Sequence, residues 1–279
     1  MNNKYLETKS LDLRRKIIKT CFLGRAGHIP PSLSALDILT VLYFGGVLRY
    51  DASNPNLPDR DRFILSKGHA ALAFYNVLCD AGFFKREELN TFCKPGTIFG
   101  AHPTPSIAGV ECATGALGHG LSFGVGVALS ARLKKEPYLT YVITGDGECQ
   151  EGSIWEAAMS ISKYNLTNLI WIIDHNKWQA TGKLSETMSL MPLDKKLQAF
   201  GFNVLSIDGH NYGELLQSLK ISRNNLPGKP LAIIANTIKG KGISMIEGKR
   251  EWHSKIPNND EFKMIAEQLD LTWEEFEAL

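Results

Sequence analysis

The sequence lacks a strong charge of either sign. Its 31 Lys and Arg residues stand against 29 Asp and Glu residues, so the net charge is +2 at pH 7, and the basic residues form no block of five or six. A field that would attract nucleic acid or an anionic membrane surface is therefore not expected. We predict no nucleic-acid partner.

Long apolar runs are also absent. The most apolar stretch near the start, residues 39–47, is far shorter than the about 18 residues that a membrane-spanning helix needs, and the N-terminus has no apolar signal core. We predict no membrane association. The cysteines number five and form no CxxC pair, which argues against a disulfide framework and against zinc knuckles. Reduced thiols in a cytoplasmic protein are the expectation.

What the sequence contains is an alternation of apolar strands and helices. Strands are predicted over 62–65, 139–144, 169–174, 203–207 and 231–236, and helices over 5–23, 34–44, 68–82, 121–135, 154–164, 195–200, 212–221 and 258–279. The pattern predicts an α/β fold, a parallel β-sheet with helices on both faces. We expect one domain over 1–279, with a helical N-terminal segment and a helical C-terminal tail. Residues 91–120, rich in Gly, Pro, Thr and His, are predicted to form an ordered functional loop.

Two polar positions follow neighbouring predicted strands. Asp146 lies between two glycines after the strand over 139–144, and Asn176 lies 30 positions later, after the next strand. Parallel sheets bind ligands at the carboxyl ends of their strands, so these side chains should meet at one edge. A carboxylate, an amide oxygen and a backbone carbonyl just past Asn176 would suit Mg²⁺ that also binds phosphate oxygens. On its own, Gly-Asp-Gly would more often be a plain turn.

The order Gly-Asp-Gly, about thirty residues, then Asn resembles the thiamine-diphosphate-binding signature. Other segments narrow this resemblance to the transketolase family: 27–28 (GH), 65–70 (LSKGHA), 101–103 (AHP), 114–120 (TGALGHG), 145–152 (GDGECQEG), 155–157 (WEA), 237–242 (TIKGKG) and 252–253 (WH). They occur in the family's order and cover nearly the whole chain. The resemblance implies the thiamine-diphosphate-binding fold and a diphosphate held through Mg²⁺, for which Ca²⁺ or Mn²⁺ could substitute.

The resemblance also assigns roles to residues of this chain. It implies a metal held by Asp146, Asn176 and the Trp178 carbonyl. The residues implied in binding thiamine diphosphate are His69, Gly115, Leu117, Asp146, Gly147, Glu151, Asn176 and His253. Catalytic roles in handling the sugar and its protons are implied for His28, His69, His102 and His253. Glu151 is expected at a subunit interface, His119 is an open candidate for lining the site, and His175 and His210 are expected to be structural or exposed.

One part of the family's machinery has no counterpart in this sequence. Transketolases move a two-carbon ketol unit between sugars and use a glutamate, carried by a second α/β domain, that faces the cofactor's aminopyrimidine ring. We therefore predict the N-terminal subunit of a split transketolase. A separate C-terminal subunit would supply the activating Glu in an α2β2 heterotetramer that acts on a sugar or sugar phosphate.

Two departures from the family pattern bear on the substrate. Ile29-Pro30-Pro31 follow His28 where glycines are usual, which predicts a stiffened loop at the substrate entrance. His119 stands where the family often has Gln. Together they favour a sugar of a specialised pathway. Two alternatives remain: the cofactor-binding subunit of a 2-oxo acid dehydrogenase, and a catalytically silent scaffold of the same fold.

Overall fold

The structure is a computed structural model that describes residues 2–224 and 228–279. The strands are β1 (Arg62–Leu65), β2 (Thr140–Gly145), β3 (Leu169–His175), β4 (Asn203–Asp208) and β5 (Leu231–Asn236). The α-helices are α1 (Asn3–Gly24), α2 (Ile29–Phe44), α3 (Ala71–Asp80), α4 (Arg86–Leu89), α5 (His119–Lys134), α6 (Gly152–Lys163), α7 (Leu184–Thr187), α8 (Leu193–Ala199), α9 (Tyr212–Asn224), α10 (Asn259–Gln268) and α11 (Trp273–Ala278).

The strands form a parallel sheet in the order β1-β2-β3-β5-β4. Strands β2 and β3 pair along their length, and Gly145 lies opposite Asp174 at their carboxyl ends. The predicted parallel sheet is therefore confirmed. The loops that follow β2 and β3 start side by side at one edge of it.

Alternate side chains of each central strand enter different cores. Ile143 of β2 and Ile172 of β3 pack in one core with α1, α2, α3, α9 and α10, whereas Val142 and Trp171 pack in the other with α5, α6 and α8. Because side chains alternate along a strand, an apolar strand with no polar face needs a helical layer on each side. The prediction of helices on both faces is confirmed.

Helix α2 begins five residues earlier than predicted, at Ile29 rather than at residue 34. Pro30 and Pro31 lie in its first turn, where a missing N–H breaks no helical hydrogen bond. The prediction that they stiffen a loop is wrong, because they open a helix. Their carbonyls accept hydrogen bonds from the Gly240 N–H and the Lys67 ammonium.

Two other helix predictions need correction. The segment over 68–82 is a 3₁₀ turn, Gly68–Ala70, followed by α3. The segment over 258–279 is two helices, because Asp270 adopts a left-handed conformation with φ of 55°. Each of these helices opens with its own capping box, at Asn258 and at Thr272. Within the described residues, no helix is long and apolar enough to cross a membrane.

Candidate active site

The loops after β2 and β3 are tied together at the carboxyl edge of the sheet. The Asp146 N–H donates to the Asp174 carbonyl at 3.2 Å, and the Lys177 N–H donates to Asp146 Oδ2. Asn176 follows β3 directly, and its Oδ1 accepts the Trp178 N–H at 3.0 Å. The two loops that carry the predicted metal-binding positions therefore adjoin, as the spacing predicted.

The donor set at this edge suits a hard cation. Burial and the negative charge of Asp174 raise the pKa of Asp146 to about 7, so a bound cation would stabilise its ionised form. The described residues contain no group of three His, Cys, Asp or Glu side chains that could hold a metal by themselves. One carboxylate, one amide and a backbone carbonyl leave coordination positions for water and phosphate oxygens, which is how Mg²⁺ is usually held. The residues present therefore fit magnesium bound together with a diphosphate.

A cleft of about 270 Å³ opens above these loops. Its walls include eight of the residues to which the resemblance assigns roles: His69, Leu117, Asp146, Gly147, Glu151, Asn176, Trp178 and His253. Asp146 and Asn176 are buried at its floor, and Glu151 is exposed at its rim. The Gly147 N–H, expected at the diphosphate, donates to Asp146 Oδ1 at 2.8 Å in this structure.

The element after Gly-Asp-Gly differs from the expectation of a helix that starts there. It is a 3₁₀ turn, Gly147–Gln150, and α6 begins only at Gly152. Both Gly147 and Gln150 nevertheless line the cleft. A tight turn thus occupies the place where the sequence predicted the N-terminus of an α-helix.

Four of the seven histidines form one cluster, although they are far apart in the sequence. The His28 ring centroid is 4.8 Å from that of His69 and 5.7 Å from those of His102 and His253. His69 lies 5.1 Å from His102 and 5.9 Å from His253. His69 and His253 line the cleft, so the cluster adjoins it. The four histidines singled out by the resemblance are the four that the fold brings together.

The electrostatic environment keeps these imidazoles uncharged at neutral pH. Burial, followed by neighbouring imidazoles, lowers the pKa of His69 to about 4. Burial, with the charge of Lys239, lowers the pKa of His253 to about 3, and burial also lowers the pKa of His28. The buried Nδ1 atoms of His28 and His253 have no hydrogen-bond partner in the structure. Since buried polar atoms are normally paired, these two are suited to a ligand in the cleft.

Gly115 is required by close packing. Its φ is +136°, and a Cβ there would lie 2.8 Å from the His102 ring. Its backbone nitrogen lies against Gly68, where a Cβ would approach it to 2.6 Å. The glycines let the loop over 114–118 lie directly on the turn that carries His69. Gly115 therefore packs beside the histidine cluster, and it is absent from the cleft wall, as are His28 and His102.

Sequence reasoning missed a buried ion pair beneath the cleft. The Lys67 ammonium donates to the Asp174 carboxylate and, at 2.9 Å, to Ser34 Oγ. Asp174 also accepts the hydroxyl hydrogens of Ser34 and Thr237. Lys67 lines the cleft, as does Lys239, so two cations face the region above Asp146. Both lysines lie in segments that carried the resemblance, but their burial could not be read from those segments.

Glu148 is the second feature that was missed. Its buried carboxylate accepts hydrogen bonds from the Ser66 hydroxyl, the Gly118 N–H at 2.9 Å and the Gly145 N–H at 3.1 Å. These donors come from three segments that meet at the cleft. Glu148 therefore fixes the loops around the site, and an acidic residue directly after Gly-Asp-Gly was the available signal.

The remaining candidates lie outside the histidine cluster. His119 is exposed at the first position of α5 and does not line the cleft. His175 pairs with the Asn236 side chain at 3.0 Å, and His210 pairs with Asp37, which agrees with structural roles. Cys149 is fully buried, so it has no access to a substrate.

Comparison with known proteins agrees with this site. A family model described as "Transketolase, thiamine diphosphate binding domain" matches residues 16–278. The chain is similar to one named subunit of the apulose-4-phosphate transketolase of Phocaeicola vulgatus, at 40% identity over 277 residues that cover 99% of this chain and 98% of that protein. It is also similar to the 6-deoxy-6-sulfo-D-fructose transketolase subunit SqwG of a Clostridium species, at 41% identity over 245 residues, 88% of each chain.

Among solved structures, the chain resembles transketolase from Campylobacter jejuni, with a TM-score of 0.89 and 31% identity. The match covers 98% of this chain and 44% of that one. Fold and motifs agree along nearly the same residues. This chain therefore belongs to the transketolase family and corresponds to its thiamine-diphosphate-binding domain.

Proposed function

We propose that this chain is the diphosphate-binding subunit of a two-chain transketolase, which transfers a two-carbon ketol unit between sugars. The observation that carries the proposal is the pairing of the Asp146 and Asn176 loops beside a cluster of four histidines. A metal site alone would serve many diphosphate enzymes. A metal site with uncharged imidazoles at its opening suits a substrate with several hydroxyl groups.

In this proposal the chain grips the cofactor through its metal. Asp146, Asn176 and the Trp178 carbonyl hold Mg²⁺, and Ca²⁺ or Mn²⁺ could take its place. Lys67 and Lys239 add positive charge around the diphosphate. When bound, thiamine diphosphate supplies the carbanion chemistry that breaks and forms the carbon–carbon bond.

The histidines would handle the sugar. His28 and His102 would contact its hydroxyl groups, and His69 and His253 would lie nearest the reacting centre and the cofactor. Because the pKa values of His69 and His253 lie well below 7, each ring nitrogen that lacks a hydrogen can accept a proton at neutral pH. Gly115 and Leu117 would lie against the cofactor's rings.

A complementary subunit is part of the proposal. The similar proteins from Phocaeicola and Clostridium are named as transketolase subunits, and this chain covers most of their length, whereas it spans less than half of the Campylobacter transketolase. The partner would supply the activating glutamate and, with Glu151 at the interface, form an α2β2 heterotetramer. We further propose that residues 1–279 form one domain. The five free cysteines support a cytoplasmic location.

The names of these relatives also bear on the substrate. One is named for a branched sugar phosphate and the other for a sulfonated sugar, which supports a substrate from a specialised pathway. The family match favours ketol transfer over the 2-oxo acid dehydrogenase alternative. The intact pair of Asp146 and Asn176 argues against a silent scaffold.

The test is reconstitution. The chain and a purified complementary subunit, separately and mixed, would be assayed for ketol transfer with thiamine diphosphate, Mg²⁺ and a panel of ketose donors, and the mixture would be sized by analytical ultracentrifugation. We expect activity in the mixture alone and a mass equal to two copies of each chain. Normal activity of this chain by itself would contradict the split architecture, and turnover of 2-oxo acids in place of ketoses would contradict the reaction.

A further inference from the structure

A buried carboxylate in the middle of α2 gathers donors from three elements. Asp37 accepts hydrogen bonds from Ser10 and Arg14 of α1, from Tyr212 of α9 at 2.8 Å and from His210 in the turn before α9 at 2.7 Å. It is buried and lies outside the cleft wall. Nothing in the proposed chemistry uses it directly.

Two of these donors continue to the segment that follows β5. His210 faces Asp37 with Nδ1, and its Nε2 accepts the Ile238 N–H at 2.9 Å. Since Nε2 must accept there, the hydrogen of the neutral ring lies on Nδ1 and is donated to Asp37. Arg14 donates from Nη2 to Asp37 at 3.2 Å and from Nε to the Lys241 carbonyl at 2.9 Å. The network therefore holds this segment at two points.

Lys239 lies between the two held positions. Its side chain is only 2% exposed, lines the cleft and donates to the Gln179 carbonyl at 3.2 Å, beside the metal-binding loop. Gly242, just beyond the second held position, has φ of +91°, and a Cβ there would lie 2.7 Å from the Arg14 side chain. The segment thus lies directly against Arg14 on one side and reaches the cleft through Lys239 on the other.

The charge of Asp37 keeps this arrangement in one state. Burial alone would raise its pKa, but the hydrogen bond from His210 and the charge of Arg14 lower it to about 2. A carboxylate that stays ionised favours the tautomer with hydrogen on Nδ1, which leaves Nε2 free to accept the backbone N–H.

We propose that Asp37 and His210 are positioning residues that fix the segment over 237–242 and so aim the Lys239 ammonium into the cleft. This inference rests on the proposed function, because Lys239 would face the anionic cofactor bound there. Neither Asp37 nor His210 touches the cleft. Their effect is transmitted through the Ile238 N–H, with Arg14 holding the far side of the segment.

Substitutions at His210 separate the two contacts. His210→Leu removes both. His210→Gln places an acceptor near the former Nε2 and can keep the bond to Ile238, whereas His210→Asn places a donor near the former Nδ1 and can keep the bond to Asp37. Tyr212→Phe is the matched control, because it removes one hydrogen bond from Asp37 without touching the segment.

The first readout is amide hydrogen exchange of Ile238 in the full chain without cofactor. We expect exchange about fivefold to tenfold faster in His210→Leu and His210→Asn, from the loss of one hydrogen bond, and near the wild-type rate in His210→Gln and Tyr212→Phe. The second readout is the affinity of the complex with its partner chain for thiamine diphosphate and Mg²⁺. It should fall about tenfold in His210→Leu relative to Tyr212→Phe, with partial recovery in His210→Gln.

The outcomes separate this inference from the proposed function. If wild type binds the cofactor and all four variants share its Ile238 exchange and affinity, the positioning role is wrong. Equal losses in Tyr212→Phe and His210→Leu would also overturn it, because a general loss of stability would then account for both. If the wild-type complex binds no thiamine diphosphate, the proposed function fails and with it the cofactor part of this inference, whereas the exchange of Ile238 still decides whether the segment is held.

Discussion

Removal of the Lys67 charge should destabilise the chain by about 3–5 kcal/mol, the usual cost of breaking a buried ion pair from one side. Lys67 is 6% exposed and Asp174 is fully buried. A Lys67→Met variant keeps the stem of the side chain and loses the ammonium. The Asp174 carboxylate would then keep only the hydroxyl groups of Ser34 and Thr237.

The second half of a double-mutant cycle sets the size of the interaction. Asp174→Asn strands the ammonium, while the double variant removes both charges and leaves groups of nearly the same shape. The double variant should therefore lose about 1–3 kcal/mol less than the sum of the two single variants. The charge of Lys67 and its hydrogen bond lower the pKa of Asp174 against the effect of burial. Without Lys67 that pKa rises.

The assay is urea unfolding of the cofactor-free chain, followed by circular dichroism. The deficit of Lys67→Met should be largest at about pH 7 and shrink towards about pH 5, because a carboxyl with a raised folded-state pKa takes up a proton as the pH falls and loses its buried charge. Lys195→Met, at an exposed lysine, is the control and should change stability by less than about 0.5 kcal/mol. Strictly additive single variants, or a Lys67→Met deficit no larger than the control's, would refute the reasoning.

Two further changes test the histidine cluster. Gly115→Ala should lower the melting temperature, because φ is +136° and the new methyl group would meet the His102 ring, whereas Gly126→Ala in α5, with open space around it, should be neutral or stabilising; equal melting curves for both would contradict this packing. Burial lowers the pKa of His69 to about 4, so its ring should stay uncharged between about pH 8 and pH 5 by NMR. The unfolding free energy of wild type relative to His69→Asn should then fall below about pH 6.5, since only the unfolded chain takes up that proton; a pH-independent difference would contradict the assignment.

The order and ends of the central strands could be predicted because buried parallel strands are apolar runs that end in turn residues. The strands over 62–65 and 231–236 were predicted with the observed bounds. The neighbouring loops of Asp146 and Asn176 followed from strand adjacency alone. The start of α2 was missed because Pro30 and Pro31 resemble a loop in sequence, although a first helical turn tolerates them.

Burial of charge was beyond the sequence. Lys67 and Glu148 look like ordinary charged residues, and only the meeting of distant segments buries them with their partners. The four histidines carried no pattern of their own, so their grouping could be expected only from the family resemblance. Asp37 lies in an apolar helix where a lone carboxylate gives no sign of its four donors.

The central claim is that Asp146 holds the cofactor's diphosphate through magnesium. Isothermal titration of thiamine diphosphate into the complex of this chain with its partner tests it most directly, with Mg²⁺ and with EDTA. Asp146→Ala is compared with Asp260→Ala, an exposed aspartate in the first turn of α10. The account predicts saturable, Mg²⁺-dependent binding to wild type and Asp260→Ala, and affinity weaker by more than about tenfold in Asp146→Ala. Equal affinity in all three proteins, or binding that EDTA leaves unchanged, would contradict it.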